Sequence, residues 1–428
     1  MNHSAIVVCG GRVLDPATGR DEVRDLFIRD GKIEALPAAV PADARVIEAA
    51  GLVVTPGLID LHVHLREPGG EEAETIETGS RAAARGGFTT IVAMPNTKPP
   101  CDTPDRVAFV KRRGEEVGLV RVFPSGAITR DRAGKEVGDL AALAAAGAAA
   151  FTDDGSTVQC DALMEEAMRR AKETGLPIMD HAQDSLIERK GGVMHEGEFS
   201  ARYGLPGIPT LAEEKIIRRD IELAAKTGCK LHIQHVTSNE GARLIREGRA
   251  RGLRVTGELT PHHLTLSDAD VKPGQPNYKM NPPLRSESDR AALLAALLDG
   301  TLSCFATDHA PHTAEKKARG FLEAPFGIVG LETAIGITYA ALVEQGAMDL
   351  MTWLRRWTTG PAEVLGRPAP TLTPGSPADL VLLDLHTPWQ VRSSEFASRS
   401  TNTPFEGWTV TGRSIVTLCG GLVTWSAR

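Results

Sequence analysis

Hydrophobic and polar positions alternate in short runs at both ends of the chain. AIVVCGGRVLD, DLFIRDGKIEAL and ARVIEAAGLVVTPG lie in the N-terminal part, and ADLVLLDLH and RSIVTLCGGLVTW lie near the C-terminus. Glycine punctuates each run, as expected of short strands closed by turns. The two ends together predict one small β-domain, a β-sandwich made of residues 1–54 and 371–428.

The middle of the chain reads differently. Short β-rich runs alternate with helical stretches, the pattern of a parallel α/β architecture. The runs are GLIDLHVHL (57–65), FTTIVAM (88–94), VRVFPSG (120–126), AAAFTDD (148–154), PIMDHA (177–182), KLHIQHV (230–236), LRVTGEL (253–259) and LSCFATDH (302–309). Eight such units close a ring, so the fold class expected is α/β, a (β/α)8 TIM-type barrel over residues 55–370. Intervening segments such as EEAETIETGSRAAARG and QCDALMEEAMRRAKETG end near glycine, as helices do. No GxGxxG opens a helix after the first run, which counts against a nucleotide-binding open sheet.

Composition narrows the function. A chain of 428 residues with 42% hydrophobic content buries a large core, and a net charge of −7 counts against a nucleic-acid partner. The partner expected is a small molecule. No apolar stretch approaches the roughly 20 residues of a membrane helix, and MNHSAIVVCGGRVLD lacks a basic-then-apolar leader, so a cytoplasmic location and no membrane partner are expected. The six cysteines, with no CxxC pair, read as small buried apolar residues. Cys304, on the run leading to Asp308, is included among them.

The chemistry concentrates in DLHVHLRE. Asp60, His62, His64 and Arg66 are spaced by two, so an extended strand points them to one face and Leu61, Val63 and Leu65 to the other. Two inward imidazoles need partners, and a divalent cation is the simplest. Other candidate ligands also fall at the C-terminal ends of expected strands: Asp153 or Asp154, His181, His235 and Asp308. Barrel enzymes place their chemistry at that end. Four imidazoles and two carboxylates suit zinc and exceed the needs of one ion with an open position. Two ions sharing a carboxylate would use them all and would favour amide hydrolysis.

These residues resemble the amidohydrolase superfamily, and its dihydroorotase branch closely. The motifs are DLHVHLREPG (60–69), MPNTKPP (94–100), FTDDG (151–155), HAQD (181–184), HVTS (235–238), TPHH (260–263), MNPPLR (280–285), ATDHAPH (306–312) and APFGIVGLE (324–332). HxH is common to amidohydrolases, whereas LREPG, MPNT and MNPPLR together are specific to dihydroorotases. The resemblance implies two Zn2+ per chain, one on His62, His64 and Asp308, the other on His181 and His235, with Asp154 bridging in place of a carbamylated lysine. It also implies substrate contacts from Arg66, Asn96, Asn281 and His312 and from the backbone of Phe326 and Gly327. Asp308 would act as general base and then acid on a ring amide.

A guanidinium fork suits the carboxylate of dihydroorotate, which the rings of allantoinases and dihydropyrimidinases lack. The sister activities therefore predict no Arg66 equivalent and a bridging lysine. An inactive structural partner of aspartate transcarbamoylase would have lost ligands, and all six are present. Homo-oligomerisation and association with aspartate transcarbamoylase are further implications of the resemblance. Outside the ligand set, His232 lies three before His235 and is expected on the opposite strand face. His262 and His263 are expected to support the site by hydrogen bonding. His3, His195 and His386 are expected in solvent, and 195–210 as an irregular loop beside the site.

Overall fold

The structure is a computed structural model that describes residues 5–188 and 191–427; His3 lies outside them. The terminal runs pair into one sheet of eight strands. Five come from the N-terminal part: Ala5–Asp15, Arg20–Arg29, Lys32–Glu34, Arg45–Glu48 and Val53–Pro56. Three come from the C-terminal part: Leu380–Asp384, Arg413–Cys419 and Leu422–Ser426. Val53–Pro56 joins the halves, parallel to Ala5–Asp15 and antiparallel to Leu380–Asp384, with Val54 opposite Leu382. The alternation seen in the sequence supplies the buried cluster of Val8, Val13, Leu26, Ile28, Val54, Leu380, Leu382 and Leu418.

Between the halves, parallel pairings run from Leu58–Val63 to Phe88–Ala93 and Arg121–Pro124. They continue through isolated bridges at Phe151, then Ile178–Asp180, Leu231–Ile233, Val255–Leu259 and Cys304–Phe305, and return from His309 to Val63. The pairings thus run full circle. The fourth expected run is bridged at Phe151, with Ala149 N and Thr152 N donating to Pro124 O and Gly126 O, and just beyond it the Asp153 carboxylate accepts from Ile128 N and Thr129 N at 2.8 and 3.1 Å. Helices between the strands bury one face each. In Asn239–Ala250, for example, Ser238 caps the first turn through Gly241 N while Ala242, Leu244 and Ile245 enter the core.

An apolar cluster drawn from around the circle (Ile59, Leu61, Val92, Met94, Met179, Cys304 and Ala306) packs on Ala362, Val364 and Leu365. Val364 borders Pro177, Leu231 and Val255, so the helix Thr359–Val364 closes the end where the strands begin. Leu61 was expected to face away from His62. Pairing register slips between Asp60 and Val63, and this irregularity lets Leu61 join the cluster while His62 keeps the site. Cys304 is buried there, its thiol held well above the ordinary range by burial.

Three further expectations change. Residues 195–210 are ordered, with Met194–His195 paired to Gly207–Ile208 around the helix Glu198–Tyr203. Cys160 is exposed rather than buried. Residues 371–428 do not all belong to the terminal sheet. The stretch around Trp389–Gln390 and Thr409–Val410 returns to the ring body, where Val391, Phe405 and Val410 pack with Met280, Phe321 and Ile337.

Candidate metal centre and substrate pocket

Six side chains meet at the C-terminal ends of the ring strands, all buried: His62, His64, Asp154, His181, His235 and Asp308. Asp154 lies at their centre. Its Oδ1 is 3.2 Å from His62 Nε2, 3.4 Å from His181 Nδ1 and 3.8 Å from His235 Nε2, and its Oδ2 is 3.4 Å from His64 Nε2. Asp308 Oδ1 lies 3.1 Å from His64 Nε2 and 3.4 Å from His62 Nε2. Two sets of three have ligand atoms close enough for one cation each, His62 with His64 and Asp154, and Asp154 with His181 and His235. Asp154 is common to both, and Asp308 flanks the first.

The outward nitrogens decide whether a cation fits. His62 Nδ1 meets Glu258 Oε1 at 2.8 Å, His64 Nδ1 meets Asn96 Oδ1 at 2.9 Å, and His181 Nε2 meets Gln183 Oε1 at 2.9 Å. Each of these partners is an acceptor, so each of those nitrogens carries the hydrogen and the opposite nitrogen turns a lone pair toward the carboxylates. His181 Nδ1 and His235 Nε2 face each other at 2.9 Å. Lone pairs aimed at carboxylates repel unless positive charge sits between them. Among the described residues His62 Nε2 and Asp154 Oδ1 also have no hydrogen-bond partner. The donor set fits divalent cations of the zinc type.

Electrostatics agree. Burial alone would lower His62, yet the Asp154 and Asp308 carboxylates hold it well above the usual imidazole range. Burial would raise Asp154 and Asp308, yet His62 and its neighbouring imidazoles hold both below the usual carboxylate range. The cluster attracts positive charge even in a dry setting. Backbone strain accompanies it: Arg66, His235 and Asp308 take φ of 58°, 30° and 48°, in the left-handed region that non-glycine residues seldom adopt.

Asp153 and Asp154 part at this point. Asp153 is engaged with Thr129 and Ile128, whereas Asp154 enters the centre. Asp60 does not face the centre with its neighbours at 62 and 64. Its carboxylate accepts from Thr307 Oγ1 at 2.5 Å, Thr307 N at 3.1 Å and His62 N at 3.1 Å, and burial lifts it to about 7. It ties the first strand to the residue before Asp308.

A cavity of about 210 Å3 opens on the centre, lined by His64, Asp154, His181, His235 and Asp308 and by every expected substrate residue: Arg66, Asn96, Asn281, His312, Phe326 and Gly327. Arg66 Nε donates to Pro311 O at 3.2 Å, and burial lowers the guanidinium to about 10, still charged at neutral pH. Asn96 has its oxygen on His64, which leaves the amide N–H groups for a ligand. Asn281 is the reverse. Its Nδ2 donates to Gln183 Oε1 at 2.8 Å while its Oδ1 has no partner among the described residues. His312 Nε2 donates to Phe326 O at 2.6 Å, and burial and then the Arg66 charge push its ring down to about 3.

His232 departs from expectation. It meets Glu258 Oε2 at 2.9 Å on the side of the centre, because the strand ends at Ile233 and the left-handed turn at His235 cancels the alternation. His263 bonds Thr260 Oγ1 at 2.7 Å and Pro282 O at 3.0 Å and so braces the segment carrying Asn281. The His262 ring lies 4.4 Å from it, tilted by 50°, and its Nε2 has no partner among the described residues. His309 is held by Glu74 at 3.2 Å and Gly330 N at 3.2 Å. His195 is half-buried 3.4 Å from Arg285, with burial and that charge lowering it to about 4, whereas His386 is exposed.

Glu258, Gln183 and Asn402 were not singled out from sequence. Glu258 ends an expected strand just as the ligands do, and that signal could have found it. Hydrogen bonds from His62 and His232 hold Glu258 down at about 2 despite burial, so it stays ionised. Glu258→Gln is expected to weaken metal binding roughly ten- to hundredfold, read by chelator competition. Unchanged affinity would remove Glu258 from that role.

Residues 51–241 match the family model described as dihydro-orotase-like. The chain is 47% identical over 411 residues to a dihydroorotase of Halalkalibacterium halodurans, covering 96% of each chain. It is likewise 47% identical over 424 residues to a dihydroorotase of Pelotomaculum thermopropionicum, covering 99% of each. Among solved structures, an L-hydantoinase (dihydropyrimidinase) from Arthrobacter aurescens superposes with a TM-score of 0.87 at 26% identity, over 98% of this chain and 96% of that one. With near-complete coverage at almost half identity, and with the ligand geometry above, the chain belongs to the dihydroorotase family.

Proposed function

We propose that the protein is a dihydroorotase, interconverting L-dihydroorotate and N-carbamoyl-L-aspartate in pyrimidine biosynthesis. One observation carries the reading: the Arg66 guanidinium shares a small pocket with the acid and imidazole cluster, so a carboxylate-bearing ring can be held against it. In this reading residues 55–370 form a (β/α)8 barrel, and 1–54 with the terminal-sheet strands of 371–428 a small β-domain beside it. His62, His64 and Asp308 would hold one Zn2+ and His181 and His235 a second, with Asp154 available to both. When bound, the ions activate water and polarise the amide carbonyl. A cytoplasmic homo-oligomer, with aspartate transcarbamoylase as a candidate partner, completes the proposal.

The chain's own groups do the rest. Arg66 grips the ring carboxylate through paired N–H donors. Asn96 offers N–H groups to an acceptor, and Asn281 Oδ1 accepts from a ring N–H. The Phe326 carbonyl and the Gly327 backbone form the facing wall. Asp308, kept ionised by His62 and His64, takes the proton of the attacking water at a carboxylate oxygen and returns it to the ring nitrogen as the C–N bond breaks. Ring closure runs the same transfers backward.

The likeness to hydantoinase and dihydropyrimidinase structures favours a second reading, a sister activity on a ring without the carboxylate. Arg66, and an aspartate at 154 where those activities are expected to use lysine, weigh against it. Metal-loaded protein assayed with L-dihydroorotate, hydantoin, dihydrouracil and allantoin is expected to turn over dihydroorotate alone. Turnover of another ring instead would move it to the sister activity. Asp308→Asn is expected to lose about 10²- to 10⁴-fold in kcat, and near-normal turnover would remove Asp308 as the base. Cyclisation turns two carboxylates into one and takes up a proton, so each unit of lower pH should shift the equilibrium about tenfold toward the ring. A ratio independent of pH would contradict the reaction.

A further inference from the structure

Among the described residues Lys317 is a cation without a carboxylate partner. It ends the short helix Ala314–Lys317 and is 5% exposed. Its Nζ donates to Gly327 O at 3.0 Å, Pro325 O at 3.1 Å and Lys279 O at 3.4 Å. Burial and then the Lys279 charge lower it to about 7. Burying an ammonium on carbonyls alone is costly, and a packing role would be met more cheaply by an apolar side chain.

The three carbonyls explain the placement. Pro325 O and Gly327 O both turn to Lys317, while the carbonyl between them, Phe326 O, turns the other way to accept from His312 Nε2. Gly327 N donates to Lys279 O at 3.0 Å, the third oxygen of the same cage. Asn402, from the returning C-terminal stretch, completes the frame. Its Nδ2 donates to Gly327 O and Ala310 O, both at 3.1 Å, and its Oδ1 accepts from His312 N at 3.2 Å. Gly327 takes φ of 123°, and a Cβ there would lie 2.6 Å from Ala310 Cβ, so only glycine fits this turn.

We propose that Lys317 is a positioning residue of the substrate pocket: its buried ammonium fixes the direction of the Phe326–Gly327 peptide and, through Phe326 O, the ring of His312. This rests on the dihydroorotase reading for the identity of the ligand, though not for the geometry. Lys317 touches neither the ligand space nor the metal ligands. Its loss is a loss of uniform binding, which raises KM more than it lowers kcat.

The test uses zinc-loaded full-length wild type, Lys317→Met and Lys317→Gln, with kcat, KM for L-dihydroorotate, metal per chain and thermal midpoint measured for each. Lys317→Met is expected to raise KM about tenfold or more with kcat within about threefold and metal content unchanged. Lys317→Gln, whose amide still donates to two carbonyls, is expected to fall between it and wild type. KM within twofold of wild type in Lys317→Met, or a lowered midpoint with no change in KM, overturns the proposal. If Lys317→Met does not fold, Lys317→Gln carries the comparison, and two unfolded variants would make Lys317 a folding determinant and overturn it as well. If wild type ignores dihydroorotate and hydrolyses another ring, the functional reading fails by itself, and the same KM split measured with that ring still decides the role of Lys317.

Discussion

Everything in the site is arranged around one carboxylate. Asp154 stands among four imidazoles, three of which have their far nitrogens occupied by acceptors at Glu258, Asn96 and Gln183. Those outer contacts leave the lone pairs of the near nitrogens aimed inward at two carboxylates, an arrangement that only positive charge between them relieves. Glu258 does this for His62 and also accepts from His232 and from His235 N, at 2.9 and 3.1 Å. The same carboxylate therefore orients one candidate ligand and fixes the backbone of another.

The circular pairing of parallel strands makes such convergence possible, because residues far apart in sequence come to one rim. Asp60 ties the first strand to Thr307 beside Asp308, and the His309–Val63 bridge closes the circle at the same place. The returning C-terminal stretch reinforces that rim from outside. Ser398 bonds Glu74, which holds His309, while Asn402 ties Ala310, His312 and Gly327 together. The wall of the pocket that faces Arg66 is thus held by residues that take no part in the metal cluster, Lys317 and Asn402 above all.

Much of this was legible in the sequence. The β-rich runs marked the ring strands because each buried strand is a short apolar run closed by turn formers, and the ligands stood at the run ends. What alternation could not resolve were places where the backbone leaves the strand. The register slip before Val63 brings Leu61 inward, and the left-handed turn at His235 puts His232 on the side of the centre. Spacing could not separate Asp153 from Asp154, since the choice depends on Thr129 and Ile128 from another part of the chain. Asn402 carried no local signal, because its role exists only once residues 389–410 have folded back onto the ring.

If Asp154 serves two cations, its loss must empty the site while the loss of its neighbour must not. Metal per chain, measured by elemental analysis on purified wild type, Asp154→Asn and Asp153→Asn after zinc loading and removal of excess, tests it most directly. Two zinc ions are expected in wild type and in Asp153→Asn, and loss of bound zinc in Asp154→Asn. A single ion in wild type, or two ions retained by Asp154→Asn, would contradict it.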